Sequence, residues 1–240
     1  MKRQKLLTTN NAKTLKGGKL GYVTYILYMS PFRQNSKGIN LCSHASAGCA
    51  EACLFSSGFG GMFNSVQQAR IKKSEYFLSS RVEFLHQLKK EITRAIKKHE
   101  GEAIPVFRLN GTTDITLEKF KIFEGKNIFE LFPDVQFYDY TKNYTRFDKV
   151  LPANYHLTFS RSEINHDKSL EMLARGINVA MVFNQVPATY EGYKVINADA
   201  DDLRFLDTKG GVICGLKYKN MTGKDADNTL AFTSKFAIKI

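Results

Sequence analysis

The sequence predicts an α/β protein built as a partial (open) β/α barrel, with a mostly parallel sheet and a cysteine-bearing loop after the first strand. Three observations predict it. Short apolar runs recur along the chain, with helix-spaced stretches between most of them, and that alternation gives parallel strands joined by right-handed crossovers. Nearly every apolar run ends in a polar cluster, as strands do where they feed βα loops. About five or six such units fit an open arc better than a closed eightfold ring.

The elements follow in order. Residues 1–20, rich in Lys, Thr, Asn and Gly, read as an N-terminal arm, and residues 21–240 as a single α/β domain, since no repeat or linker interrupts them. GYVTYILYM (21–29) is the first apolar strand; eight apolar residues from Tyr22 to Met29 are too few to cross a membrane. A Gly/Ser/Cys/Ala-rich loop follows from Ser36 to Met62, long enough to signal function. From Asn64 to His99, Val66, Ala69, Phe77, Phe84, Leu88, Ile92 and Ile96 recur near helical spacing. Asn64 is placed to cap that helix, Gly101 to end it, and Ser79-Ser80 to break it.

Strands are then expected at 104–109, 135–140, 155–159, 178–183, 193–196 and 211–216. Helices are expected at 116–132, 144–150 and 166–175, the last ended by Gly176. The strand ends carry Asn110, Gly111 and Asp114, then Lys142, then Ser160 and Glu163. Any one of these polar residues serves a turn or a helix cap equally well; a parallel sheet gathers all of them, with the cysteine loop, on one rim.

The formal net charge is +12, which favours a polyanionic partner. Lys72, Lys73, Arg81, Lys89, Lys90, Arg94, Lys97 and Lys98 give the long helical stretch a basic character, and weak nucleic-acid binding is expected there. No export signal is visible at the start, so the expected location is the cytoplasm (of the host cell, for a phage-encoded chain), where cysteines bind metals or react rather than pair.

Three of the four cysteines, Cys42, Cys49 and Cys53, fall within twelve residues. One helical turn would hold the Cβ atoms of Cys49 and Cys53 roughly 6 Å apart. A single zinc ion, about 2.3 Å from each sulfur, draws its thiolates closer than that. A [4Fe-4S] cluster gives each thiolate its own iron and accepts the wider spread. An iron–sulfur cluster is therefore the first expectation, unliganded thiols the second, and zinc with His44 as a fourth ligand the third. Three thiolates leave one iron open to a small molecule. Cys214, within the apolar run GGVICGLKYK, is expected to be a core residue. Gly58, Gly60 and Gly61 read as plain turn residues.

The runs NLCSHASAGCAEACLFSSGFGG, VFRLNGTTDI, FYDYTKN, HLTFSRSE and VAMVF resemble the bacteriophage gene product 88 family. A more distant likeness is to radical S-adenosylmethionine enzymes, whose partial β/α barrel carries three cysteines after the first strand. Their usual spacing is C-x3-C-x2-C, whereas this chain has C-x6-C-x3-C. By analogy of strand position, that likeness implies S-adenosylmethionine binding at Asn110, Gly111, Asp114, Ser160 and Glu163, with the substrate unknown. The alternative is an iron–sulfur phage protein that binds nucleic acid or serves a structural role without catalysis.

Overall fold

The computed structural model describes residues 4–9, 16–53, 63–219 and 229–240; Gly58, Gly60 and Gly61 lie outside them. Ten strands form one open, mostly parallel sheet. They are β1 (Leu7–Thr8), β2 (Tyr22–Leu27), β3 (Ile104–Arg108), β4 (Phe137–Thr141), β5 (Tyr155–Ser160), β6 (Val179–Phe183), β7 (Thr189–Tyr190), β8 (Tyr193–Asn197), β9 (Ile213–Lys217) and β10 (Ala237–Ile238). Their order is β1-β2-β3-β4-β5-β6-β9-β8-β7, with β10 also pairing β6. From β2 to β6, and on through β9 and β8, every pairing is parallel; β1 and β7 add antiparallel edges. The described strands do not close on themselves.

The buried strands read as apolar runs because the sheet is covered on both faces. One face carries Tyr25, Leu27, Phe107, Phe137, Tyr155 and Leu157 against two long helices, α2 (Asn64–Ser79) and α3 (Arg81–Lys98). A short helix, α1 (Ala47–Glu51), precedes them. Further along that face, Phe159, Val179 and Met181 pack on Met172 and Leu173 of α4 (His166–Ala174). The other face holds Val106 and Tyr138 against Leu203. A last helix, α5 (Leu230–Thr233), stands beside α1.

The break between α2 and α3 falls at Ser80, whose extended backbone (φ −141°, ψ 60°) leaves helical space. Phe84, Leu85, Leu88, Ile92 and Ala95 form the buried stripe of α3, three to four residues apart as a core-facing helix requires. Gly101, at φ +78°, turns the chain towards β3 at little steric cost.

Three expectations differ. The stretch 116–132 is not helical beyond a single 3-10 turn at Leu117–Lys119. There Asn127 bends the chain by accepting from the amides of Phe129 and Glu130, and Glu124 and Gly125 take positive φ, so the apolar side chains pack from turns. Asn64 does not cap α2; the boundary residue is Phe63, with no side-chain cap bond. Within the N-terminal segment, Leu6 and Leu7 are buried and Leu7–Thr8 pairs with β2. Glu91 of α3 fixes this strand by accepting from both leucine amides, while the Lys73 ammonium donates to the Leu6 carbonyl.

Candidate functional site

Parallel register brings the ends of β2, β3, β4 and β5 to one edge of the sheet, and the segments that leave that edge meet around the cysteines. Asn110 is the organiser after β3. Its side-chain oxygen accepts from the Thr113 hydroxyl and the Ile115 amide, and its side-chain nitrogen donates to the Ile115 carbonyl. Gly111 follows where a Cβ would sit 2.5 Å from Ile26 and 2.8 Å from Tyr28, so only glycine lets the backbone pass.

The turn held by Asn110 presents Asp114. One Asp114 oxygen accepts from the Lys142 amide at 2.9 Å and the other lies 3.3 Å from Arg146. The Asp114 amide donates to the carbonyl of Leu41, the residue before Cys42. Arg146, 2% exposed at its side chain, also forms a forked pair with Glu118 and donates to the Tyr155 hydroxyl. Tyr155 in turn donates to Asp139. A buried polar chain therefore runs from the sheet interior to the backbone beside Cys42.

Glu163 fixes the second cysteine segment. One of its oxygens accepts from the Ser46 hydroxyl at 2.6 Å and the other from the Gly48 amide at 2.8 Å. Ser46 caps α1 by accepting from the Cys49 amide. Burial pushes the Glu163 carboxyl up, but the bonds from Ser46 and Gly48 outweigh it and hold the group below its ordinary value. Gly48 has no room for a side chain, since a Cβ would lie 2.2 Å from Ser234 Oγ.

Cys42 is close enough to feel both Cys49 and Cys53. Burial pushes Cys42 up to about 12; Lys142 opposes the rise, while Asp114, Cys49 and Cys53 add to it. A thiol so perturbed is protonated at neutral pH and a poor nucleophile, but a bound metal displaces its proton. Lys142 donates to Ser160 Oγ at 2.9 Å and bonds Cys49. Burial alone would lower its ammonium, yet Cys49 and Cys42 raise it. Arg70, 4.9 Å above the Tyr28 ring, is close enough to feel Cys53. Two cations thus flank three thiols. Cys214 is apart from this group: it is fully buried, donates to Asp207 at 3.3 Å, and packs with Ala180 and Ala198.

The structure places Asp114, Ser160 and Glu163 around the cysteine segments, but as supports whose polar atoms bond the protein itself. Asn110 shapes the turn behind them. Sequence reading named Lys142 only among strand-end polar residues and passed over Arg70 and Arg146, which lie far from the cysteines in sequence. His44 is exposed. Among the described residues, no three or more His, Cys, Asp and Glu side chains are arranged to hold a metal ion.

Fold and site together define an α/β protein with an open, mostly parallel sheet and two cysteine-bearing segments held beside the ends of its central strands. The chain belongs to the bacteriophage gene product 88 family, whose sequence profile matches residues 4–234. No curated protein and no solved structure matches it.

Proposed function

We propose that this is an iron–sulfur protein in which Cys42, Cys49 and Cys53 hold a [4Fe-4S] cluster, with S-adenosylmethionine-dependent radical chemistry as its reaction class. The observation that carries the reading is the placement of Cys42 within reach of Cys49 and Cys53, with Lys142 and Arg70 beside them and the Cys214 thiol turned to Asp207. Three thiolates on a four-iron core form an anionic centre, and flanking cations suit it. The reading takes the open sheet as the wall of a partial barrel and the cysteine segment as a loop on its rim. Such a cluster, when bound, would supply an open iron and one electron, the requirements for reductive cleavage of S-adenosylmethionine to methionine and a 5′-deoxyadenosyl radical. In this chain, Asp114 holds the backbone just before Cys42 and Glu163 the backbone just before Cys49, and Lys142 would offset the charge of the centre.

The test is anaerobic purification with iron and sulfide analysis. Wild-type protein is expected to carry about four irons per chain, the joint replacement of Cys42, Cys49 and Cys53 by Ala to carry none, and Cys214→Ser to keep the full content. Zinc at one per chain, or no metal, overturns the cluster. Iron without formation of 5′-deoxyadenosine from S-adenosylmethionine after reduction overturns the reaction class alone.

A further inference from the structure

The sheet ends, on its N-terminal side, at β1, and the surface beside that edge differs in character from the thiol cluster. A groove of about 490 Å³ runs between the β1 segment and α3. Lys90, Arg94 and Lys98 line one wall, and Lys5 faces them from the strand segment. All four side chains are exposed. The floor is apolar, made by Leu7, Tyr25 and Ala95.

Lys90, Arg94 and Lys98 are spaced four residues apart, so they stack along one face of α3 about 6 Å apart. That interval is close to the distance between successive phosphates of a nucleic-acid strand. Among the described residues, no carboxylate pairs with any of the four within 4.0 Å. Glu91 is the one acid in the groove. Its oxygens are taken by the amides of Leu6 and Leu7 and by the Gln87 side chain, which makes it a structural clamp rather than a competing anion. Lys73 is withdrawn from the basic surface, buried and bonded to Leu6. Lys89 belongs elsewhere too, with its ammonium 5.5 Å from the Phe123 ring.

From this arrangement we infer that the groove between β1 and α3 is a binding track for single-stranded nucleic acid. It takes successive phosphates on Lys90, Arg94 and Lys98, with Lys5 closing the opposite side. A duplex presents two strands across a wide cylinder, whereas one row of cations beside an apolar floor fits one strand. The track is independent of any metal, so its test and that of the cluster fail separately.

The experiment is fluorescence anisotropy of a labelled single-stranded oligonucleotide, titrated with full-length protein over a salt series. The variant carries Lys5→Gln, Lys90→Gln, Arg94→Gln and Lys98→Gln. The control carries Lys126→Gln, Lys149→Gln, Lys194→Gln and Lys217→Gln, four exposed lysines elsewhere, and so has the same net charge. The groove variant is expected to bind roughly tenfold or more weakly at low salt, with a log–log salt slope shallower by about three units. The control is expected to lose little and to keep the wild-type slope. Equal weakening in both sets, tighter binding of duplex than of single strand, or displacement by polyglutamate as effective as by unlabelled strand overturns the inference, as does a wild-type protein that does not bind.

Discussion

Asp139 lies fully buried in β4, accepting from the Asn110 amide at 2.9 Å and from the Tyr155 hydroxyl at 3.0 Å. Burial raises its carboxyl from 3.8 to about 6, against the opposing pull of Arg108, the Asn110 amide, Tyr155 and Arg146. Between those values the native protein holds a proton that the unfolded chain has released, so stability falls as pH rises through the window. The loss is on the order of 3 kcal/mol. Urea midpoints of wild type and Asp139→Asn, compared from pH 4 to pH 6.5, are expected to diverge accordingly: the wild type loses stability across the range relative to the variant. A constant offset between the two sets the carboxyl back in its ordinary range. Cys42, Cys49 and Cys53 were legible in the sequence because their crowding is local. Lys142 was visible as a polar residue at a strand end, yet its contact with Cys49 depends on register. The bonds that Asp114 and Glu163 make within the protein were not legible for a related reason. A carboxylate at a strand end suggests a ligand contact, while its neighbours in space, Leu41 with Arg146 or Ser46 with Gly48, come from segments that sequence order does not associate with it.

At the scale of elements, α1 is held more by its surroundings than by its own residues. Five residues form too short a helix to persist alone. Its cap, Ser46, is bonded to Glu163, its Glu51 accepts from the Ala231 amide, and its Cys49 and the adjoining Ala52 pack with Ala231 and Phe236. Gly48 is the point of closest approach, with Phe236 Cβ only 2.6 Å from where its own Cβ would be. Gly48→Ala is therefore expected to cost about 1–3 kcal/mol, measured by chemical denaturation, and to loosen the segment that carries Cys49. An unchanged midpoint removes the tight packing of α1 against the C-terminal residues. Long elements were readable from periodicity alone: α2, α3, their break at Ser80 and the main parallel strands all leave clear patterns. Two-residue strands such as β1, β7 and β10 leave none, because pairing with a neighbour defines them. The failed helix at 116–132 had aromatic residues near helical spacing, but Asn127 and the Glu124–Gly125 turn dictated the backbone instead.

For the molecule as a whole, the N-terminal segment is part of the folded body. Leu6 and Leu7 are almost wholly buried, their amides hold Glu91, and Lys73 reaches back to the Leu6 carbonyl. Burial lowers the Lys73 ammonium to about 8, with Glu91 resisting and Arg70 and Lys5 assisting. Removing residues 1–8 strips two leucines from the core, takes the Leu6 carbonyl from the buried Lys73 ammonium, and leaves Glu91 with only its Gln87 bond. Each leucine contributes about 2–5 kcal/mol, so the truncated chain is expected to be severely destabilised, read out as a large drop in urea midpoint or as insoluble expression. Wild-type stability in the truncated chain contradicts the described packing.

The junction of α1 with residues 230–238 ties together two segments remote in sequence. Ser234 and Phe236 close on Gly48, Arg161 donates to the carbonyls of Lys235 and Phe236, and the Lys142 ammonium stands 5.8 Å from the Phe236 ring. Glu51 and Ala231, 180 residues apart in sequence, thus meet at one joint, and β10 carries that joint onto β6. Whatever displaces residues 230–238 therefore loosens the backbone that carries Cys49, although no sequence neighbour of that cysteine has changed.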